Sequence, residues 1–293
     1  MSPTGNFLER VRSLPRLGVG ISTEYEAGRQ GLCLRDLVAE HGDLVRFLEV
    51  GADLARGVDQ DTRDWVATGR PTTYHFLDLN LEQAEDLDPA WVDATAALAR
   101  ELQASWLCGD AGIWHLGPRD LGHGTLMPPI LVASSARDMA ANVRALRERS
   151  GFEILPENPP AQVWVGDLDL LDYFALMLEE ADTGMLLDVA HLAIHQEAMG
   201  REPLDGLDGF PLERVIEIHV AGGRYYEFGG RRFIEDDHGL EILDATWRIH
   251  DYLLERASNL KAIVLEAERN PIAGVAPIFA RLAAGFGPER GAS

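Results

Sequence analysis

Nine side chains of metal-ligand type stand at or just after short apolar runs: His75 in Tyr74-His-Phe-Leu-Asp78, Asp110 in Cys108-Gly-Asp110, Glu157 in Leu155-Pro-Glu-Asn-Pro159, Asp188 and His191 in Leu187-Asp-Val-Ala-His191, His219 in Glu217-Ile-His-Val-Ala221, Asp236 and His238 in Asp236-Asp-His-Gly239, and Glu266 in Val264-Leu-Glu266. Taken singly, each has an ordinary reading: His75 or His219 as a hydrogen-bonded core histidine, Glu157 as a helix cap. Taken together they are more groups than one six-coordinate ion requires, so two or three ions are expected. Imidazoles and carboxylates without thiolates suit iron, manganese or zinc. The D-x-H spacing of Asp236 and His238 lets both reach one ion, and Asp188 with His191, three apart, can bridge two. Only two cysteines occur, Cys33 and Cys108, and neither lies in a CxxC pair, which argues against a disulfide framework or a thiolate zinc site.

A carboxylate or imidazole buried in an apolar strand costs several kcal/mol unless it is paired or bound to a cation, so the elements that carry these groups must bring them together. Eight β-rich apolar runs are present, at 17–22, 45–50, 72–79, 105–108, 152–155, 185–189, 215–220 and 262–265. Between them lie segments of helical periodicity such as 89–102, 138–149, 168–180, 240–257 and 274–284. That alternation predicts an α/β fold, a single (β/α)8 TIM barrel over residues 1–293 with frayed ends at 1–14 and 285–293. All the ligand-type residues then fall at the C-terminal ends of strands, at one mouth. No GxGxxG follows the first strand, where Gly18-Val-Gly20 runs into Ile-Ser-Thr-Glu, so a dinucleotide fold is disfavoured. Two long connections, Ala111 to Ala136 with its Gly122-His-Gly124 and Pro128-Pro129, and Arg224 to Asp237 with Tyr225, Tyr226, Phe228 and Phe233, are expected as loops over that mouth, together with Trp114.

With 26 basic and 48 acidic residues the formal charge is −22, which repels a phosphate backbone and an anionic bilayer alike; neither nucleic acid nor membrane is an expected partner. No apolar stretch approaches the length of a membrane span, and the first residues lack a basic start followed by an apolar run, so a cytoplasmic location is expected.

The order and spacing of the strand around His75, Leu126-Met-Pro-Pro129, Glu157-Asn158, Leu187-Asp-Val189 with His191, Ile218-His-Val-Ala-Gly222, Asp236-Asp-His-Gly239 and Leu265-Glu266 resemble the multinuclear non-haem iron-dependent oxidative enzymes, the family of MbnB and TglH, over nearly the whole chain. The resemblance implies a xylose-isomerase-like TIM barrel with two or three irons of mixed Fe(II)/Fe(III) valence, held by His75, Asp110, Glu157, Asp188, His191, His219, Asp236, His238 and Glu266. It implies an oxidoreductase that uses dioxygen to modify a cysteine, or another residue, of a ribosomally synthesised peptide in natural-product biosynthesis, in many members with a small partner protein that binds the leader peptide. Such members carry a histidine directly after the acidic residue of the fourth strand; here Ala111 follows Asp110, so that ligand is either missing or replaced by His115 from the next loop. Asp110, His115 and Glu157 are accordingly the expected catalytic residues.

Two other readings fit the same residues. One is a divalent-metal-dependent sugar isomerase or epimerase on this barrel, with Glu157 and Glu266 on opposed strands handling the proton. The other is a metal- or peptide-binding subunit without turnover of its own.

Overall fold

The computed structural model describes residues 5–286 apart from 30, 53, 118 and 120–125. The strands are β1 (Gly18–Thr23), β2 (Phe47–Ala52), β3 (Thr72–Phe76), β4 (Ala104–Asp110), β5 (Ile130–Leu131), β6 (Ile154–Glu157), β7 (Val165–Gly166), β8 (Met185–Asp188), β9 (Val215–Ala221), β10 (Gly223–Phe228), β11 (Arg231–Asp236) and β12 (Ala262–Glu266). The helices are α1 (Phe7–Ser13), α2 (Leu34–His41), α3 (Gln60–Ala67), α4 (Pro89–Glu101), α5 (Ala133–Ser150), α6 (Leu170–Ala181), α7 (Val189–Met199), α8 (Asp244–Arg256) and α9 (Ile272–Gly285). Strands β1, β2, β3, β4, β6, β8, β9 and β12 close a parallel barrel in chain order, β1 pairing with both β2 and β12. Each of the eight apolar runs is a barrel strand, as expected, because strands covered on both faces read as continuous apolar segments.

Alternate strand residues face the barrel interior, and that interior is layered. Its floor is Phe47, Trp106, Leu155, Leu186, Ile216 and Val264. Gly20 admits the Phe47 ring, since a Cβ there would lie 2.5 Å from it. The floor is sealed by Phe7 and Val11 of α1, which corrects the expectation of a frayed start from residue 7 onward. Helix α1 is short but has a full capping box between Asn6 and Glu9, and its apolar face has the barrel end to cover. Stretch 122–124 and the tail beyond 286 lie outside the described residues.

Two accessory sheets sit at the other end: the short parallel pair β5–β7 and the antiparallel hairpin β10–β11. The hairpin replaces the expected aromatic loop at 224–237. Gly229 and Gly230 both take positive φ, 60° and 75°, which is the backbone that a tight two-residue hairpin turn requires. Helix α7 escaped the periodicity reading because residues 189–196 are buried all round and so have no polar face. No helix among the described residues is long and apolar enough to cross a membrane.

Candidate metal centre

Two steps along β4 from Trp106 lead through Cys108 to Asp110, and the same alternation brings His75, Glu157, His219 and Glu266 inward on β3, β6, β9 and β12 at the mouth. The junction of β8 and α7 supplies a pair: Asp188 is the N-cap of α7, its Oδ1 accepting from the His191 backbone N–H at 2.6 Å, so that the helix start turns the His191 ring toward the same point as Asp188 Oδ2. Asp236 arrives from the end of β11. His238 follows in a left-handed conformation (φ 48°), its backbone carbonyl accepting from Asn270. Gly222 makes this return possible, because a Cβ there would lie 2.3 Å from the Gly239 carbonyl oxygen.

All nine expected ligands meet. His75 Nε2 lies 2.8 Å from Glu157 Oε2 and 4.0 Å from Asp110 Oδ2. His191 Nε2 lies 2.9 Å from Asp236 Oδ2 and 3.7 Å from Asp188 Oδ2. His219 Nδ1 lies 3.3 Å from both Glu157 Oε1 and Glu266 Oε1. His238 Nε2 lies 3.5 Å from Asp236 Oδ2 and 3.6 Å from Glu266 Oε2. Ligands bound to one ion at about 2.1 Å are themselves about 3 Å apart, so these spacings are those of atoms that can share cations. Glu157 belongs to two such groups, with His75 and Asp110 and with Asp188 and His191, and Glu266 to two more, with His219 and Glu49 and with His238 and Glu268.

The polar atoms themselves are fit for a metal. Asp110 Oδ1, Asp188 Oδ2, both ring nitrogens of His219, Asp236 Oδ1 and Glu266 Oε2 are buried without a hydrogen-bond partner among the described residues. Native interiors rarely leave such atoms open, since each costs about 1–3 kcal/mol and more when charged. The rest of each side chain is held in place. The Asn158 carbonyl fixes His191 Nδ1 at 2.8 Å, while the Asn158 amide pairs twice with the Asp188 backbone at 2.9 Å. These two bonds tie β6 to β8 where only Glu157 and Leu186 are in register.

Protonation follows the crowding. Burial alone would lower the His75 imidazole, but the facing Glu157 carboxylate outweighs it and raises it to about 9. Burial and the Glu157 charge push Asp110 up to about 7, and burial raises Asp188 well above the usual carboxylate range. For Glu157, burial is opposed and outweighed by His219 and His75, which hold it below its ordinary value; Asp236 is likewise lowered by His191. Positive imidazoles thus substitute in part for cations.

Sequence reasoning missed Glu49 and Glu268. Glu49, mid-β2, lies 2.9 Å from His219 Nε2 and accepts from Thr73 and the Cys108 thiol; Glu268, two residues past Glu266, lies 2.9 Å from His238 Nδ1. A glutamate inside the apolar run Phe47-Leu-Glu-Val50 was the available signal. His115 is corrected: its Nε2 contacts Asp86 at 2.9 Å and its Nδ1 the Gly117 carbonyl at 2.6 Å, so both ring nitrogens are engaged away from the cluster. Above the cluster opens a cavity of about 730 Å³ whose walls include Trp114 and Tyr226. Phe228 is 75% exposed and does not line it.

The family model of the RiPP precursor modification enzymes MbnB/TglH/ChrH matches residues 28–281. A UPF0276 protein of Acaryochloris marina is 25% identical over 254 residues, covering 84% of this chain and 86% of the relative. Among solved structures, a Thermus thermophilus protein soaked with zinc chloride superposes with a TM-score of 0.52 at 18% identity, covering 91% of this chain and 98% of that one. A D-tagatose 3-epimerase-like protein gives 0.59 at 15%, covering 91% and 97%. At these identities the structures show the barrel fold alone, and the family match over most of the sequence shows the family: the chain belongs to the MbnB/TglH/ChrH family of RiPP precursor modification enzymes.

Proposed function

We propose that the protein is an iron- and dioxygen-dependent oxidase acting on a residue, a cysteine in the simplest case, of a ribosomally synthesised peptide. The observation that carries this reading is the set of buried, hydrogen-bond-free ligand atoms on Asp110, Asp188, His219, Asp236 and Glu266. Their nitrogen and oxygen chemistry suits iron, and their number suits more than one ion. His75, Asp110, Glu157, Asp188, His191, His219, Asp236, His238 and Glu266 would hold two or three ions of mixed valence. Iron bound there would supply one-electron oxidation with dioxygen as co-substrate.

The chain's own residues have definable tasks. Asn158 orients Asp188 and His191, and such outer partners are worth about 10–100-fold in metal affinity. Asp110 and Glu157 line the metal cavity beside His75, where they would hold the ions next to the reacting atom of the substrate. Trp114 and Tyr226 line the cavity, where they would shield a bound substrate from water. A small leader-binding partner protein fits this reading, as does a cytoplasmic setting.

Anaerobic purification with metal analysis and Mössbauer spectroscopy tests the proposal. Iron bound at a ratio above one per chain, with dioxygen uptake coupled to a mass change in a peptide, is the expected result. Less than one tightly bound iron per chain, with activity supported by magnesium alone, overturns it. A sugar isomerase or epimerase would consume no dioxygen, and a non-catalytic subunit would bind peptide without changing its mass.

A further inference from the structure

Beside the metal cavity lies a second one, of about 340 Å³, which no step of the proposed chemistry uses. Its size is within the range of specific ligand pockets, about 300–1,000 Å³. Its walls come from the β5–β7 pair and the segments before each strand, with Pro129, Ile130, Val163, Trp164 and Val165. Ile130, Val163 and Val165 are 46%, 73% and 68% exposed, an unusual concentration of large apolar surface on a chain of charge −22. The walls are fixed rather than slack. Gly166 allows β7 to press on β5, since a Cβ there would lie 2.3 Å from the Leu131 carbonyl oxygen, and Trp164 stands edge-on to His195 at 5.5 Å.

Three residues, Leu126, Pro160 and Gln162, line both cavities, so the apolar groove opens directly beside the metal cluster. Gln162 is the one polar residue among them, and its amide is spent: Nε2 donates to the Ile234 carbonyl at 2.7 Å and Oε1 accepts from the Ile234 N–H at 3.1 Å. The groove therefore offers apolar contact. The lining of the metal cavity also carries charge, at the half-buried Glu24 and the exposed Arg269, which the groove lacks.

We propose that this groove is the specificity site for apolar residues flanking the modified residue of the peptide substrate: one reactive side chain reaches the metals while neighbouring leucine- or valine-like side chains fill the groove. This rests on the reading of the protein as a peptide-modifying enzyme, and the occupant is the substrate because the groove adjoins the metal cavity across Leu126, Pro160 and Gln162.

The test uses two probes under anaerobic conditions, acetyl-Leu-Leu-Gly-Cys-Gly-Leu-Leu and acetyl-Ser-Ser-Gly-Cys-Gly-Ser-Ser, each followed by a fluorescein-labelled lysine, with binding read by anisotropy. Flanking residues on both sides make the result independent of chain direction. Burial of even one leucine side chain predicts that the leucine probe binds about tenfold or more tightly than the serine probe. Val163→Glu and Val165→Glu, at exposed positions where the fold tolerates a charge, should remove that preference at unchanged melting temperature and metal content. Equal affinity for the two probes, binding of neither, or a preference that survives both substitutions overturns the groove. Iron measured on the same samples keeps the two claims apart: iron present with no preference defeats the groove alone, whereas a preference without iron defeats the oxidase reading alone.

Discussion

At the floor of the barrel, Arg10 lies buried against Glu153, its Nε 2.9 Å from Oε2 and its Nη2 3.2 Å from Oε1, with further bonds to Asp182 and the Gly5 carbonyl, while Thr183 donates to the same glutamate. At the mouth, nine buried or half-buried candidate ligand groups face one another at similar distances, yet atoms of five of them have no hydrogen-bond partner among the described residues. Both ends bury charge, but the Arg10–Glu153 network is closed where that of the mouth is open. A closed network is what stability selects; an open one of this size needs an external cation to complete it.

Removing a mouth residue is expected to have the largest effect. His219→Ala takes away an imidazole that faces Glu49, Glu157 and Glu266, and metal content measured after anaerobic purification should fall by at least the equivalent of one ion, with turnover abolished. Retention of full metal would show that the mouth is as self-contained as the floor. Arg10→Met should do the reverse. It leaves Glu153 buried with Arg147 Nη1 only at 3.9 Å, and should cost about 3–5 kcal/mol in denaturant unfolding while metal stoichiometry stays constant.

The pH dependence of the metal-free protein sharpens the contrast. Asp110, raised to about 7, costs stability as pH rises from its unfolded value near 4 through 7. His75, raised to about 9, contributes stability below its unfolded value near 6.5 that is lost as pH rises through 9. Both signs agree, so the melting temperature of the metal-free protein should fall steadily from about pH 5 to pH 9. Metal binding displaces those protons, so the stabilisation produced by added ferrous iron should grow over the same range. A melting temperature flat from pH 5 to 9 without metal would remove the claim that the mouth is electrostatically incomplete.

The barrel was legible because its strands are buried on both faces, and continuous runs such as Met185–Asp188 announce themselves without a period. Most of the nine candidate ligands were legible for a related reason: a His, Asp or Glu at or near the end of such a run is conspicuous. Glu49 was not, since it lies in the middle of its run, and only the closed barrel brings it to His219. Asn158 stands in the sequence only as a neighbour of Glu157; its part, pairing with the Asp188 backbone across two strands, depends on a register that no local pattern encodes. Asn158→Ala should therefore lower metal affinity about 10–100-fold without abolishing binding, as measured by competition with a chelator. An unchanged affinity would mean that the cap of α7 alone holds Asp188 and His191.

His115 marks the limit of reading by spacing. A histidine five residues past Asp110 looks like a displaced ligand in sequence, and the loop between gives it apparent freedom to reach back. The chain instead turns at Trp114, whose backbone N–H donates to Asn80 Oδ1 at 2.7 Å, and the Asn80 amide donates to the His115 carbonyl at 2.9 Å. That clamp turns the His115 ring onto Asp86, where its partners are complete and it belongs with the closed networks of the floor rather than the open one of the mouth. His115→Ala should then leave metal stoichiometry and affinity within about twofold of the parent and cost only the ~1–3 kcal/mol of a broken buried hydrogen-bond network. Loss of an ion in that variant would return His115 to the centre and require its contact with Asp86 to break when metal binds.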